Sequence, residues 1–161
     1  MNARAGSPDG QRRVGQAGEA TGEVSSWEHF EHAADVGVRG YGPTVEEAFA
    51  NVAVAMTAVI TAPEAVAPAE AVPIDCAGAS LDELLFAWLN ALVFEMATRR
   101  MLFSAFEIEI AGNRLHAVAR GERVDRARHQ PSVEVKGATY TQLSVRHGAV
   151  GGWVAQCILD V

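Results

Sequence analysis

The amino-acid sequence predicts an α+β fold of two layers, in which two helices pack on one face of a mixed, mostly antiparallel sheet. Three observations support this prediction. Two segments begin with capping boxes and carry apolar residues at helical spacing, several others alternate apolar and polar residues, and glycine-containing turns separate some of the alternating segments. Because hairpins pair antiparallel and helices bury their apolar faces against a sheet, these patterns indicate helices layered on a sheet.

The first 26 residues have the composition of a disordered tail. They are rich in Gly, Ala, Ser and charged residues and show no apolar period, so burial cannot offset the entropy lost on ordering them. We therefore expect disorder over residues 1–26 and a single domain over residues 27–161. A chain of 161 residues is long enough for one hydrophobic core of ordinary size.

The domain is predicted to begin with two short strands and a helix. Residues 27–41 form two extended pieces around residues 32–35, and glycine and proline breakers follow. Thr44 and Glu47 then form a capping box, which opens a helix that ends near Ile60. Apolar residues on more than one side of this helix predict that it is deeply buried.

A strand and a second helix are predicted next. Residues 61–73 contain three prolines and form a loop, and residues 72–76 alternate as a strand does. Ser80 and Glu83 form the second capping box, which opens a long helix with apolar residues at helical spacing. Those residues are Leu81, Leu84, Leu85, Trp88, Leu89, Leu92, Val93 and Met96. Since burial of each large side chain contributes about 1.5–3 kcal/mol, this helix is predicted to be a main source of stability.

The rest of the domain is predicted to consist of strands. Residues 106–110 and 115–120 alternate on either side of a Gly112-Asn113 turn, which predicts a hairpin. Residues 133–145 alternate again, and residues 153–161 alternate to the end of the chain. The whole pattern gives about seven strands and two helices.

The charge of the chain bears on its partners. A net charge of -7 and a pI near 5.2 argue against direct nucleic-acid binding, because phosphate neutralisation needs a Lys/Arg surface. No run of about 18 apolar residues and no signal peptide occur, so we expect no membrane association and a cytoplasmic location. Cys76 and Cys157 lie in alternating apolar stretches, which is typical of core packing in a reducing compartment.

Polar residues that core packing does not explain occur at three places. Asp35 follows His32 between two extended pieces, where an ordinary turn residue is the alternative interpretation. Glu134, Lys136 and Tyr140 share one face of a predicted strand, for which a solvated face is the alternative. The third place is the end of the chain, where the last strand keeps its alternation to the final residue.

The chain end is predicted to attract a cation. The α-carboxylate of Val161 and the side chain of Asp160 place two anions at the end of an ordered strand. If Asp35 lies alongside, the three carboxylates supply only oxygen ligands, which suit Ca²⁺ or Mg²⁺ rather than zinc. Because Ca²⁺ takes about 6–8 oxygens, water, backbone carbonyls or a partner must complete the shell.

At these positions the sequence resembles the archease family. The resemblance extends over residues 27–161, and several separate motifs occur in the order expected for the family. The motifs are His32-Ala33-Ala34-Asp35-Val36-Gly37-Val38, Leu84-Leu85, Trp88-Leu89-Asn90, Arg128-His129, Glu134-Val135-Lys136-Gly137-Ala138-Thr139-Tyr140 and Ile158-Leu159-Asp160-Val161. The chain departs from the family at three positions, with Ala33 for the usual Thr, Gly137 for Ala and Thr141 for His.

The resemblance implies an accessory protein for a tRNA-splicing RNA ligase of the RtcB type, which joins RNA ends using GTP and a divalent metal. It implies that the chain promotes ligase guanylylation and multiple turnover and has no catalytic residue of its own. By position it implies metal binding, with Ca²⁺ as the expected ion, by Asp35, Asp160 and Val161. It also implies a role in ligase activation for Lys136. The acidic surface is expected to dock on a basic channel of the ligase.

Two other classes of function compete with this interpretation. A general chaperone or adaptor requires extended exposed apolar surface. A metal-dependent hydrolase that uses the carboxylates and His32 requires an open coordination position and a substrate pocket. No nucleophile, base and orienting group are recognisable as a set in the sequence, so we expect no enzymatic activity.

Overall fold

The structure, a computed structural model, describes residues 26–161. The predicted disordered tail, residues 1–26, therefore lies outside the described residues except for Ser26. The Ser26 carbonyl accepts a hydrogen bond from the backbone N–H of Tyr41 over 2.9 Å.

Two long helices and two antiparallel sheets form the domain. In chain order the elements are β1 (Trp27–His32), β2 (Asp35–Gly42), α1 (Val45–Ile60), a 3-10 turn (Pro63–Ala65), β3 (Glu70–Ala77), α2 (Leu81–Arg99), β4 (Met101–Ala111), β5 (Arg114–Arg123), the short α3 (Arg126–His129), β6 (Gly137–Ala138), β7 (Ser144–His147) and β8 (Trp153–Asp160). One sheet has the order β1-β2-β8-β6, with β7 also paired to β8, and the other has the order β3-β5-β4. Every strand pairing in residues 26–161 is antiparallel.

The α+β class is confirmed, whereas the single predicted sheet is replaced by two. The physical reason is the apolar character of α1 on several sides. This helix contacts β2 and β8 of the first sheet and β4 of the second, and its interior residues Phe49 and Val52 are 0% exposed. One sheet can cover only one side of a helix, so a helix that is apolar on several sides needs a second surface.

Both predicted capping boxes are confirmed. Thr44 accepts a hydrogen bond from the Glu47 N–H at the start of α1, and Ser80 accepts one from the Glu83 N–H at the start of α2, over 3.1 and 3.2 Å. Gly40 lets β2 approach α1 closely, because a Cβ at that position would collide with the helix backbone.

The strand predicted over residues 133–145 is wrong for most of its length. Only Gly137–Ala138 and Ser144–His147 form strands there. The Ser132 N–H bonds the carbonyl of Ile60 at the end of α1, which draws the segment toward a helix instead of a neighbouring strand. Val135 is 5% exposed, whereas the residues on either side of it are exposed. Val133 is itself 42% exposed, so the alternating pattern reflects neither strand pairing nor alternating burial over this segment.

The cysteine prediction holds in the fold. Cys157 is buried, Cys76 is half-buried, and neither forms a disulfide. Burial raises the pKa of both thiols to about 11, so neither is a reactive thiolate at neutral pH. Within the part of the chain that the structure describes, no helix is both long and apolar enough to cross a membrane.

Candidate functional site

A two-residue turn between β1 and β2 places Asp35 at one end of the first sheet. The two strands pair in register as far as His32 and Asp35, which leaves Ala33 and Ala34 as the turn. Ala33 has a φ of 52°, in the left-handed region that residues with a Cβ seldom adopt. Because directly opposed residues of an antiparallel pair point to the same face, His32 and Asp35 share one face of the sheet.

The last strand of the chain lies inside the first sheet. β8 pairs with β2 along one side and with β6 and β7 along the other, so it is an interior strand of the sheet. Its residues from Val154 to Leu159 are buried. Asp160 is exposed and Val161 is half-buried. Pairing on both sides fixes the chain end, which agrees with the expectation that the terminus is ordered.

The strand register brings together two of the predicted metal ligands. Val36 pairs with Leu159 in the antiparallel ladder of β2 and β8. Asp35 precedes Val36 in β2 and Asp160 follows Leu159 in β8, so both aspartates lie beside the last pair of this ladder. Val161 follows Asp160 directly. The fold therefore brings to one end of the sheet two aspartates that are 125 positions apart in the sequence.

Lys136, the predicted activation residue, is held beside Asp160. Its backbone N–H donates to the Asp160 carbonyl over 2.8 Å, and the next residue, Gly137, pairs with Asp160 in the sheet. The side chain of Lys136 is exposed and has no ion-pair partner among residues 26–161. It is also the single lysine of a chain whose other strong cations are all arginines. The backbone of Lys136 thus lies beside Asp160, while its ammonium is exposed and unpaired among the described residues.

Sequence reasoning assigned no role to Asn90, a polar residue that positions this segment. Its side-chain Oδ1 accepts a hydrogen bond from the Ala138 N–H over 3.0 Å, so α2 holds β6 against β8. The Thr139 hydroxyl donates to the Ile158 carbonyl over 2.8 Å and ties the segment to β8 as well. Asn90 is a polar residue within the apolar run of α2, and this is the sequence signal that could have predicted its contact with β6.

We call Asp35, Asp160 and Val161 the carboxylate corner. The oxygen ligands of this corner fit a hard divalent cation. Asp35, Asp160 and the terminal carboxylate of Val161 offer anionic oxygens, which Ca²⁺ and Mg²⁺ prefer. Among residues 26–161, however, no three side chains of His, Cys, Asp or Glu converge as a metal site by themselves. A cation here therefore needs the chain terminus in addition to the two aspartates.

His32 stands at the same corner. Its Nδ1 is buried and has no hydrogen-bond partner among the described residues. A buried polar atom without a partner is unfavourable, but this nitrogen does not form a three-ligand group with Asp35 and Asp160 among the described residues.

A second polar cluster, around Glu122 at the end of β5, is structural. Arg128 forms a bidentate pair with the Glu122 carboxylate over 2.7 and 3.0 Å, and His129 Nε2 donates to it over 2.8 Å. These bonds and one from the Ala67 N–H lower the pKa of Glu122 to about 2, with the Arg128 bonds as the main cause. The Asp125 N–H donates to His129 Nδ1 over 2.8 Å, which accounts for the second ring nitrogen.

The imidazole of this cluster is closed to substrates. The side chain of His129 is 0% exposed, and both of its ring nitrogens are engaged inside the protein. The cluster ties the loop before β3 to the end of β5 and to α3. Sequence reasoning assigned no role to Glu122, although a carboxylate six residues before an Arg-His pair was the available signal.

Comparison with known proteins agrees with the fold. Residues 27–161 match the sequence model of the archease protein family. The chain is 37% identical to the protein archease of Pyrococcus abyssi, over 86% of this chain and 100% of that protein. It is 38% identical to the protein archease of Methanopyrus kandleri, over 84% of this chain and 99% of that protein.

A solved structure shows the same architecture. The solution structure of protein 1598 of Methanobacterium thermoautotrophicum superposes with a TM-score of 0.75 and 32% sequence identity, over 84% of this chain and 99% of that chain. The fold and the carboxylate corner together define a small α+β protein with carboxylates at the end of its C-terminal strand. With the family match and these relatives, the chain belongs to the archease family.

Proposed function

We propose that this chain is a metal-binding accessory protein that activates an RtcB-type tRNA-splicing RNA ligase by promoting its guanylylation and its multiple turnover. The observation that carries the proposal is the pairing of Val36 with Leu159, which brings the neighbouring Asp35 and Asp160 to one end of the sheet, with Lys136 bonded to the Asp160 backbone. Membership in the archease family supports an accessory role in tRNA splicing.

The carboxylate corner is proposed to hold a divalent cation, most suitably Ca²⁺. Asp35, Asp160 and the α-carboxylate of Val161 would be its protein ligands. When bound, the cation supplies a positive charge that can attract phosphate or carboxylate groups. Ca²⁺ takes about 6–8 oxygen ligands, so three protein ligands leave several positions for water, backbone carbonyls or the ligase. This open side is where a partner can make contact.

Lys136 is proposed to contact the ligase or its nucleotide. An ammonium does not ligate metal, but it donates up to three hydrogen bonds to phosphate or carboxylate oxygens. The backbone bond to Asp160 keeps the lysine at the corner, and its exposed side chain is free to reach a partner. Lysine and cation would then act together on the same anionic group.

A catalytic role is not supported by the polar groups of the described residues. In the pair of His129 with Glu122, the imidazole is 0% exposed and both of its nitrogens are engaged inside the protein. The pair of His116 with Asp75 lies on the exposed surface of β5 and β3, and no nucleophile is bonded to it. An accessory role requires no such set.

The deciding experiment counts ligations per ligase molecule. The purified chain is mixed with an RtcB-type ligase, GTP, a divalent metal and a cleaved tRNA substrate, with the RNA in large excess over the ligase. We expect multiple turnovers and faster guanylylation with the chain, and about one round of ligation without it. Equal turnover numbers with and without the chain would contradict the proposal.

A further inference from the structure

A groove of about 660 Å³ lies apart from the carboxylate corner. It is bounded by the end of α2, the start of β4, the end of β5 and the segment that follows α3. Its volume is within the range of about 300–1,000 Å³ that is usual for binding sites. Nothing in the proposed action of the corner uses it.

The floor of the groove is apolar. Ile60, Met101, Leu102 and Val135 are buried beneath it. The half-buried Met96 of α2 forms one wall. A side chain that covers these residues would remove apolar surface from water, at about 25 cal/mol for each Å².

The rim of the groove is positively charged. Arg100, Arg123 and Arg126 line it, and all three are exposed. None of them forms an ion pair with a carboxylate among residues 26–161, and Glu134 is the only acidic residue in the lining. The described arginines that do bond a carboxylate side chain are Arg39, Arg99, Arg120 and Arg128. A chain of net charge -7 thus keeps three unpaired guanidinium groups around one apolar groove.

Exposed apolar side chains extend the groove onto the surface. Val124 and Val133 line it and are 37% and 42% exposed. Phe94 is 62% exposed and follows Val93, another lining residue. Two of the five exposed large hydrophobic residues in the described chain therefore line the groove. Such a concentration is typical of a protein-binding surface.

We propose that the groove binds a polypeptide segment of the ligase that carries apolar side chains flanked by carboxylates. The apolar side chains would cover the floor, and the carboxylates would pair with the guanidinium groups, whose planar donors match carboxylate geometry. The inference rests on the proposed function for the identity of the partner. It adds a docking surface whose charge is opposite to that of the chain as a whole.

Two other occupants fit the groove less well. Residues 1–25 of the same chain contain three acidic residues and three arginines, so they offer no net charge to complement the rim. RNA presents phosphates to the rim but has nothing to cover the apolar floor, and the net charge of -7 repels it. An acidic, apolar segment of a protein satisfies both parts of the groove.

The groove and the carboxylate corner lie along one continuous segment. Glu134 and Val135 line the groove, and Lys136 follows them directly and bonds Asp160. One partner can therefore contact both places at once. Docking at the groove would hold the ligase while the corner acts on it.

The test measures binding of the ligase to the full chain by isothermal titration calorimetry. The groove variant carries Arg123→Glu and Arg126→Glu, and the matched control carries Arg114→Glu and Arg146→Glu, which changes the charge equally elsewhere. Arg114 lies at the opposite end of β5 from Arg123. We expect the groove variant to bind the ligase at least about tenfold more weakly and the control to bind as the wild type does. Ca²⁺ affinity should be the same in all three proteins.

A third variant, Val133→Asp, tests the apolar part and should also weaken ligase binding, because a carboxylate there repels an acidic segment. Wild-type affinity in both the Arg123/Arg126 and Val133 variants would overturn the docking inference and leave the proposed function standing. A wild-type chain that does not bind the ligase would overturn both. Loss of binding to a short single-stranded RNA in the groove variant, with ligase binding unchanged, would show that the groove is an RNA site instead.

Discussion

Trp88 of α2 donates a hydrogen bond from its indole Nε1 to the backbone carbonyl of Phe49 in α1, over 3.1 Å. Both side chains are 0% exposed. The indole therefore fills the core between the two long helices, and its single polar atom has a partner there. This contact joins the two helices on which both sheets pack.

We expect Trp88→Ala to lower the free energy of unfolding by about 3–5 kcal/mol, because it removes a large buried side chain and leaves a cavity. Trp88→Phe should lose less, since most of the volume remains while the hydrogen bond is lost. Urea denaturation followed by circular dichroism measures both losses. Phe94→Ala is the control, because that side chain is 62% exposed and its removal should cost no more than about 0.5 kcal/mol. Equal losses in the Trp88→Ala and Phe94→Ala variants would contradict the assignment of Trp88 to the core.

Glu122 should make the stability depend on pH. Its pKa in the folded chain is about 2, below the ordinary value of 4.5, because Arg128 stabilises the charged carboxylate. The stabilisation is therefore fully present above about pH 4.5 and disappears as the pH falls toward 2. We expect Glu122→Gln to melt at a lower temperature than the wild type at pH 7, with a difference that narrows below pH 4.5. A difference that is constant from pH 7 to pH 2.5 would rule out this linkage.

Asp35→Ala should abolish Ca²⁺ binding and ligase activation but leave the fold intact. Asp35 is the first residue of β2, where its side chain contributes charge rather than core packing. Calorimetric titration with Ca²⁺ should show affinity reduced at least about tenfold. Asp75→Ala provides the control, since Asp75 is an exposed strand aspartate with a side chain that is 70% exposed. An unchanged titration in the Asp35 variant would remove this residue from the proposed ligands.

Lys136→Ala should leave Ca²⁺ affinity unchanged and lower ligase guanylylation at least about tenfold, because an ammonium binds anions and not metal. Lys136→Arg tests whether charge alone is enough, and partial activity is expected because guanidinium is larger and planar. Since the chain has no other lysine, reductive methylation modifies only this side chain and the N-terminal amine. Full guanylylation with the alanine variant would reduce Lys136 to an ordinary surface charge.

A tag at the C-terminus should weaken Ca²⁺ binding, whereas one at the N-terminus should not. A Gly-Ser extension turns the α-carboxylate of Val161 into a neutral amide and places new backbone beside Asp160. We expect a loss of at least about tenfold in affinity, or about 1.4 kcal/mol, with ligase activation reduced in parallel. Identical titrations for the two tagged proteins would exclude Val161 as a ligand and leave Asp160 without its proposed neighbour.

The elements that sequence reasoning predicted well are those with strong local signals. The capping boxes at Thr44 and Ser80 locate the starts of both long helices, because cap and first turn interact within a few residues. The Gly112-Asn113 turn between β4 and β5 is equally local. The failed strand over residues 133–145 shows the limit of such signals. A period of two is not enough for a strand, because a strand also needs a neighbour with which to pair, and residues 130–135 have none in the described structure.

Local pattern, composition and family motif are enough to predict the α+β class, the two helices, the acidic charge of the chain and the candidates Asp35, Lys136, Asp160 and Val161. The tertiary structure is needed to show that the strands divide into two sheets, that β2 and β8 bring Asp35 and Asp160 to one end of a sheet, and that three arginines surround an apolar groove. These relationships join residues that are far apart in the chain. They are fixed by strand register and helix packing, which depend on how the whole core closes and not on any single segment.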